Sequence, residues 1–343
     1  MPGGQAGRRV EDGPVARRIC ENALRSRCRS SIWEIDGKGY MQAPDTAAAT
    51  PAHPDFDRSL EDVGNIVEFG HVNCRVPNQQ LAMVFYVMGM GLTRDPYLAT
   101  GVDLAWINVG SSQFHLPVGA AQVLRGVTGL VMGDLDALLE RLQQVAPRLA
   151  DTAFAFSRDG AQVDVRCPWG NRIRVHAPDP ARFGRMALGM PYVEIDVAPG
   201  TAARIVHFYR DILAAPATVG QDGCGMYAQV SAGLSTRMLF RETAAALPAY
   251  DGHHIQIAVA DFSGVHARLL QRGLVSEESN QSQYRFRDIT DLQTGEVLAT
   301  LEHEVRSMRH PMYARELVNR EPSITNRHFA AGHEAARLRL TPP

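Results

Sequence analysis

Four stretches of this 343-residue chain repeat one pattern, and that repetition constrains the fold more than any single residue does. Each stretch offers a short strand, a turn with Asp, Asn or Pro-Gly, an amphipathic helix, and further strands separated by Gly-containing turns. The four first strands read His71 to Val76, Val127 to Met132, Tyr192 to Val197 and His254 to Val259, and helices are expected to begin near Asn78, Asp134, Gly200 and Asp261. In the first, third and fourth of these strands apolar residues fall on every second position, as a half-buried strand requires. Such a unit is βαβββ, and four of them make an α+β protein with curved mixed sheets.

The units alternate in kind. Phe85-Tyr86 of unit one is matched by Phe208-Tyr209 of unit three, and the helix from Asp134 to Leu142 in unit two by that from Asp261 to Leu270 in unit four. The closing strands are Gln113 to Leu116, Arg172 to Val175, Thr236 to Leu239 and Ala299 to His303. The stretch Cys167-Pro-Trp-Gly-Asn-Arg-Ile-Arg-Val175 resembles the Asp-Pro-x-Gly-Asn-x-Ile-Glu-Leu hairpin that closes a vicinal-oxygen-chelate domain, and the Phe-Tyr helix ends resemble that family's helix. The resemblance covers roughly residues 65 to 305 and extends to glyoxalase I, bleomycin resistance protein and the extradiol dioxygenases. It implies tandem domains: a flexible N-terminal extension over 1–62, a first glyoxalase-like domain over 63–182, a second over 188–306 and a C-terminal tail over 307–343.

Composition narrows the function. Hydrophobic residues make up 45% and charged residues 21% of the chain, with a formal net charge of -2 and both signs intermixed, so no basic face favours nucleic acid or an anionic membrane. The longest apolar stretch, Leu81 to Leu92, is too short to span a bilayer. A small-molecule substrate is the expected partner, and a monomer or homodimer the expected state. The five cysteines (Cys20, Cys28, Cys74, Cys167, Cys224) are scattered and lack C-x-x-C spacing, which reads as reduced thiols in a cytoplasmic protein.

The family resemblance implies that metal ligands come from the start of a unit's first strand and the middle of its last, on the concave sheet face. Strand alternation says which residues face there. With Val72, Cys74 and Val76 packing against helices, His71, Asn73 and Arg75 face the concave side; with Ile255, Ile257 and Val259 packing, His254 and Gln256 do. Phe114 and Leu116 bracket an inward His115, and Leu301 makes Glu302 the first inward candidate on the last strand, with Glu304 on the same face and His303 directed to the helices. Unit two offers Val127 and Arg174 at these slots, and unit three Tyr192 with Met238 or Leu239. If consecutive units share a site, each site collects only two ligand-type residues. If units one and four pair, one site gathers His71, His115, His254 and Glu302 around a divalent ion such as Fe, Zn, Ni, Mn or Co, with His115 and Glu302 also the candidate catalytic groups. The complementary face, with Glu194, Asp196, Arg172, Arg174 and His176, is expected to be a charge-paired site without metal, or a patch for an anionic group.

Three functions fit. The first is a metal-dependent lyase or isomerase of the glyoxalase and epimerase type, in which the ion polarises a substrate oxygen while a side chain moves a proton. The second is an Fe(II) ring-cleaving dioxygenase, whose family draws its ligands from units three and four, where Tyr192 stands here in place of a histidine. The third is a metal-free ligand-sequestering protein of the bleomycin-resistance kind. The Arg- and Tyr-rich segment after Glu304 reads either as a lid over the cavity or as a tail on the sheet edge.

Overall fold

The computed structural model describes residues 56–320, of which those from Glu61 onward belong to one compact unit. The expected N-terminal extension therefore lies mostly outside the described residues, as does the end of the C-terminal tail.

All four repeats form. Unit one contains β1 (Ile66–Asn73), β2 (Thr93–Arg94), β3 (Leu104–Val109) and β4 (Ser112–Pro117); unit two contains β5 (Gly126–Val131), β6 (Ala155–Asp159), β7 (Gln162–Arg166) and β8 (Arg172–His176). Unit three follows with β9 (Gly189–Val197), β10 (Ala217–Asp222), β11 (Gly225–Ser231) and β12 (Arg237–Glu242), and unit four with β13 (His254–Val259), β14 (Val275–Asn280), β15 (Gln283–Thr290) and β16 (Val297–Ser307). The turn residues start the helices by capping. Asn78, Asp134 and Asp261 each accept a backbone N–H from the first turn with the side chain, ahead of the helical stretches Gln79–Ala82, Leu135–Val145 and Phe262–Gln271. In unit one the helix widens to a π-helix over Met83–Gly89, which buries Phe85 and Tyr86 together.

The strands make two eight-stranded sheets, ordered β14-β15-β16-β13-β1-β4-β3-β2 and β10-β11-β12-β9-β5-β8-β7-β6. Sheet one thus joins units four and one, and sheet two joins units three and two. The four tandem βαβββ units and the mixed sheets are present, but neither sheet follows the boundary between the 63–182 and 188–306 segments. The junction strands β1 and β13 are antiparallel, as are β5 and β9. Each junction hydrogen-bonds two first strands whose edges would otherwise lie open.

The apolar faces meet the helices in a single core. Tyr209, on the helix Ala202–Leu213, packs on Phe240 of β12, and its neighbour Phe208 packs on Phe286 of β15, so this helix serves both sheets. Each fully buried aromatic of this kind contributes roughly 1.5–3 kcal/mol of hydrophobic stabilisation. Burying one face of each sheet leaves the other, polar face to form the cavities. Among the described residues no helix is long and apolar enough to cross a membrane.

Candidate metal centre

The site is fixed by the register of β1 on β13. Val72 faces Ile255, which places His71 opposite Gln256 and Asn73 opposite His254. A local two-fold relation therefore exchanges His71 with His254. On the flanking parallel strands His115 lies beside Asn73, and Glu304 lies beside Gln256; likewise Gln113 lies beside His71, and Glu302 beside His254. By the same relation His115 corresponds to Glu304, and Gln113 to Glu302.

The structure brings His71, His254 and Glu304 together, with one potential ligand atom from each all within 4.8 Å of one another. Among the described residues this is the one group of three or more such side chains at that spacing. His115 stands alongside, its ring stacked on His71 at 3.7 Å between centroids and on Trp106 at 4.2 Å. Glu302, the expected ligand, is in the same cavity but outside that group: it receives a hydrogen bond from Arg285 and faces the other ring nitrogen of His254, Nδ1, at 3.7 Å. The two glutamates share the inward face of β16 and differ in their register on β13. The pairing of β16 with β15 is irregular between Phe286 and Asp288 and again between Ile289 and Thr290, so alternation from Leu301 gives the face but not which glutamate meets the histidines. His303 is directed to the helices as expected, buried against Phe286 and hydrogen-bonded to the Tyr209 hydroxyl at 2.6 Å.

Electrostatics favour ligation. Burial holds the His71 and His115 imidazoles well below their ordinary range, aided by neighbouring histidines and by Arg306, and burial with Arg285 takes His254 down to about 3. All three are neutral near pH 7, as metal ligands must be. Glu304 accepts from Arg285 at 2.6 Å, and its other oxygen lies 2.6 Å from Arg306. His71 Nε2 is buried without a hydrogen-bond partner. An unsatisfied buried imidazole nitrogen within one His-His-Glu group fits a metal ion. Outside the group, Arg75, Leu104, Trp106 and Pro117 complete a cavity of about 430 Å³. A larger cavity of about 820 Å³, between Phe69, Leu188, Leu234 and Tyr313, includes no histidine, so the chemistry assigns the smaller one.

Sheet two repeats the geometry without the ligands. Its positions equivalent to His71, His115, His254 and Glu304 are Val127, Arg174, Tyr192 and Leu239. The Tyr192 ring lies over Gly129, where an added Cβ would stand 2.4 Å from its carbons, and the Tyr192 hydroxyl meets His176 Nε2 at 2.9 Å. Asp196 pairs with Arg172, and Arg174 with Asp164; Glu194 pairs with Arg241, a residue the sequence reading did not include. The reading also passed over Gln113, Arg285 and Arg306. Cross-strand position was the signal available for them, since each shares the inward face with a candidate ligand on the neighbouring strand.

No family model matches the chain, and no curated protein matches it. Solved structures do. Glyoxalase I from Zea mays is similar at 11% identity over 70% of this chain and 92% of its own, with a TM-score of 0.49. A catechol 2,3-dioxygenase is similar at 15% identity over 73% and 91%, TM-score 0.28. The 2,2',3-trihydroxybiphenyl 1,2-dioxygenase of Sphingomonas wittichii strain RW1 is similar at 14% identity over 71% and 90%, TM-score 0.27.

Proposed function

We propose that sheet one holds a single divalent metal ion on His71, His254 and Glu304, and that the protein is a metal-dependent enzyme of the glyoxalase and epimerase type acting on a small oxygen-bearing substrate. The observation that carries this reading is the convergence of three ligand-type side chains, one of them His71 with its buried Nε2 unpartnered, at one junction of two first strands. When bound, the ion would supply Lewis-acid polarisation of a substrate oxygen. The chain's own residues do the rest. Trp106, Leu104 and Pro117 wall the cavity and exclude water from one side, while Arg285 holds Glu302 and Glu304 in place through one guanidinium. His115, neutral and wedged between Trp106 and His71, is the proton acceptor. Glu302, tethered by Arg285 at the cavity wall, is the second candidate for proton transfer.

A two-histidine, one-glutamate set is also what ring-cleaving Fe(II) chemistry uses, so one observation favours a second reading. A test on the purified full chain separates them. Protein loaded with Zn, Ni, Mn or Co is offered small 2-oxo and 2-hydroxy compounds in deuterated water, and Fe(II)-loaded protein is offered catechols under an oxygen electrode. Deuterium exchange next to a carbonyl supports the first reading; oxygen uptake with ring cleavage replaces it by the second. A chain that retains no metal under either loading overturns both.

A further inference from the structure

His115 is held from behind by residues that the proposed chemistry does not use. Its Nε2 lies 3.0 Å from Oε1 of Gln113. The Gln113 amide nitrogen donates to Asn108 Oδ1 at 2.6 Å and to Asp95 Oδ2 at 3.3 Å. Asp95 is in turn paired with Arg315 at 2.5 Å, and Asn108 donates its own amide to the carbonyl of Val318 at 2.9 Å. Asp95, Asn108, Gln113 and His115 are all buried.

Donor and acceptor logic closes this chain without freedom. A backbone carbonyl only accepts, so Val318 obliges Asn108 to turn its NH2 outward and its oxygen toward Gln113. A carboxylate paired with arginine also only accepts, so Asp95 too demands a donor from Gln113. Both arms therefore face the Gln113 NH2 group, which leaves its oxygen directed at His115. An oxygen at hydrogen-bond distance requires a hydrogen on Nε2. Both arms begin in the segment after β16, far from His115 in sequence.

The geometry points to a tautomer lock: Arg315 and Val318, acting through Asp95, Asn108 and Gln113, fix His115 as the Nε2–H form and reserve its Nδ1 lone pair for the cavity. No hydrogen bond to His115 Nδ1 occurs among the described residues. Arg315, Asp95, Asn108 and Gln113 are positioning residues. The use of Nδ1 as proton acceptor rests on the function proposed above; the lock itself stands on the hydrogen bonds alone. It also gives the C-terminal segment a role neither of a lid nor of a passive tail.

The experiment is a ring nitrogen–proton multiple-bond correlation spectrum of the metal-free full chain labelled with 15N-histidine, with H115Q used to assign the His115 signals. The expected result is one neutral His115 species carrying its proton on Nε2. Q113L is expected to lose that single species, Q113E to keep it because a carboxylate oxygen still faces Nε2, and D95A/N108A to lose it although Gln113 remains. The signals of His303, held by Tyr209 and the Leu301 carbonyl, report whether each variant is folded. A wild-type His115 protonated on Nδ1 overturns the lock whatever the variants do, and so does an unchanged species in folded Q113L. A wild-type chain that binds no metal yet shows the Nε2–H form would sink the proposed centre and leave the lock standing.

Discussion

His254 Nε2 lies 3.7 Å from Glu304 Oε2, although Gln256, not His254, is the register partner of Glu304 on the neighbouring strand. The contact runs diagonally across the sheet. That diagonal distinguishes the two glutamates of β16, because Glu302 is level with His254 and reaches it only through Nδ1.

Substituting the two glutamates should therefore have unequal effects. E304Q is expected to weaken metal binding by about 100-fold or more, as loss of a ligand does, whereas E302Q should change it by less than about 10-fold. Competition with a chromophoric chelator measures both. Equal losses would show that both carboxylates serve the ion, and a larger loss in E302Q would reverse the assignment.

Metal stoichiometry should be about one per chain. Val127, Arg174, Tyr192 and Leu239 leave the equivalent positions of sheet two with no pair of ligands. Elemental analysis after dialysis gives the number, and two tightly held ions would mean that sheet two binds as well.

Much of the site is legible in the sequence. The residues His71-Val-Asn73 and His254-Ile-Gln256 carry the same alternation, so the face on which both histidines lie could be read directly. The pairing of units one and four was one of two readings, singled out because it alone concentrated ligand-type residues. The choice between Glu302 and Glu304 was not legible, since both share a face and only the register across β13 separates them. Nor was the partner of Glu194: Arg241 is level with Asp196 on the neighbouring strand and reaches Glu194 diagonally. Alternation assigns a face; long-range pairing assigns a neighbour.

Stability should fall in acid with a contribution from His303. Burial lowers its folded pKa to about 3 from an ordinary 6.5, so the unfolded chain binds the proton first. The contribution is present in full above about pH 6.5 and is lost as pH falls toward about 3. Within that window one such proton contributes a slope of about 1.4 kcal/mol per pH unit. Urea denaturation of wild type and H303F at several pH values reads the difference in slope; an identical slope would mean that His303 is not buried in its neutral form.

Gly129→Ala should destabilise sheet two. The added methyl would press on the Tyr192 ring, whose carbons stand 2.4 Å from that position, and would break the hydrogen bond to His176. Overpacking of this kind costs about 1–3 kcal/mol. Thermal denaturation should show the loss while metal content stays near the wild-type value, because sheet one is untouched.

The pairing of β1 with β13 also governs the order in which the molecule can be completed during synthesis. Units two and three are consecutive in sequence, so their sheet can close while the chain is still emerging from the ribosome. Unit one must wait with the edge of β1 unpaired until the fourth unit has been translated, which makes unit four the guardian of unit one. A chain broken off before β13 would keep sheet two and yet expose a bare strand edge bearing His71, a species prone to aggregate and unable to bind what the finished protein binds.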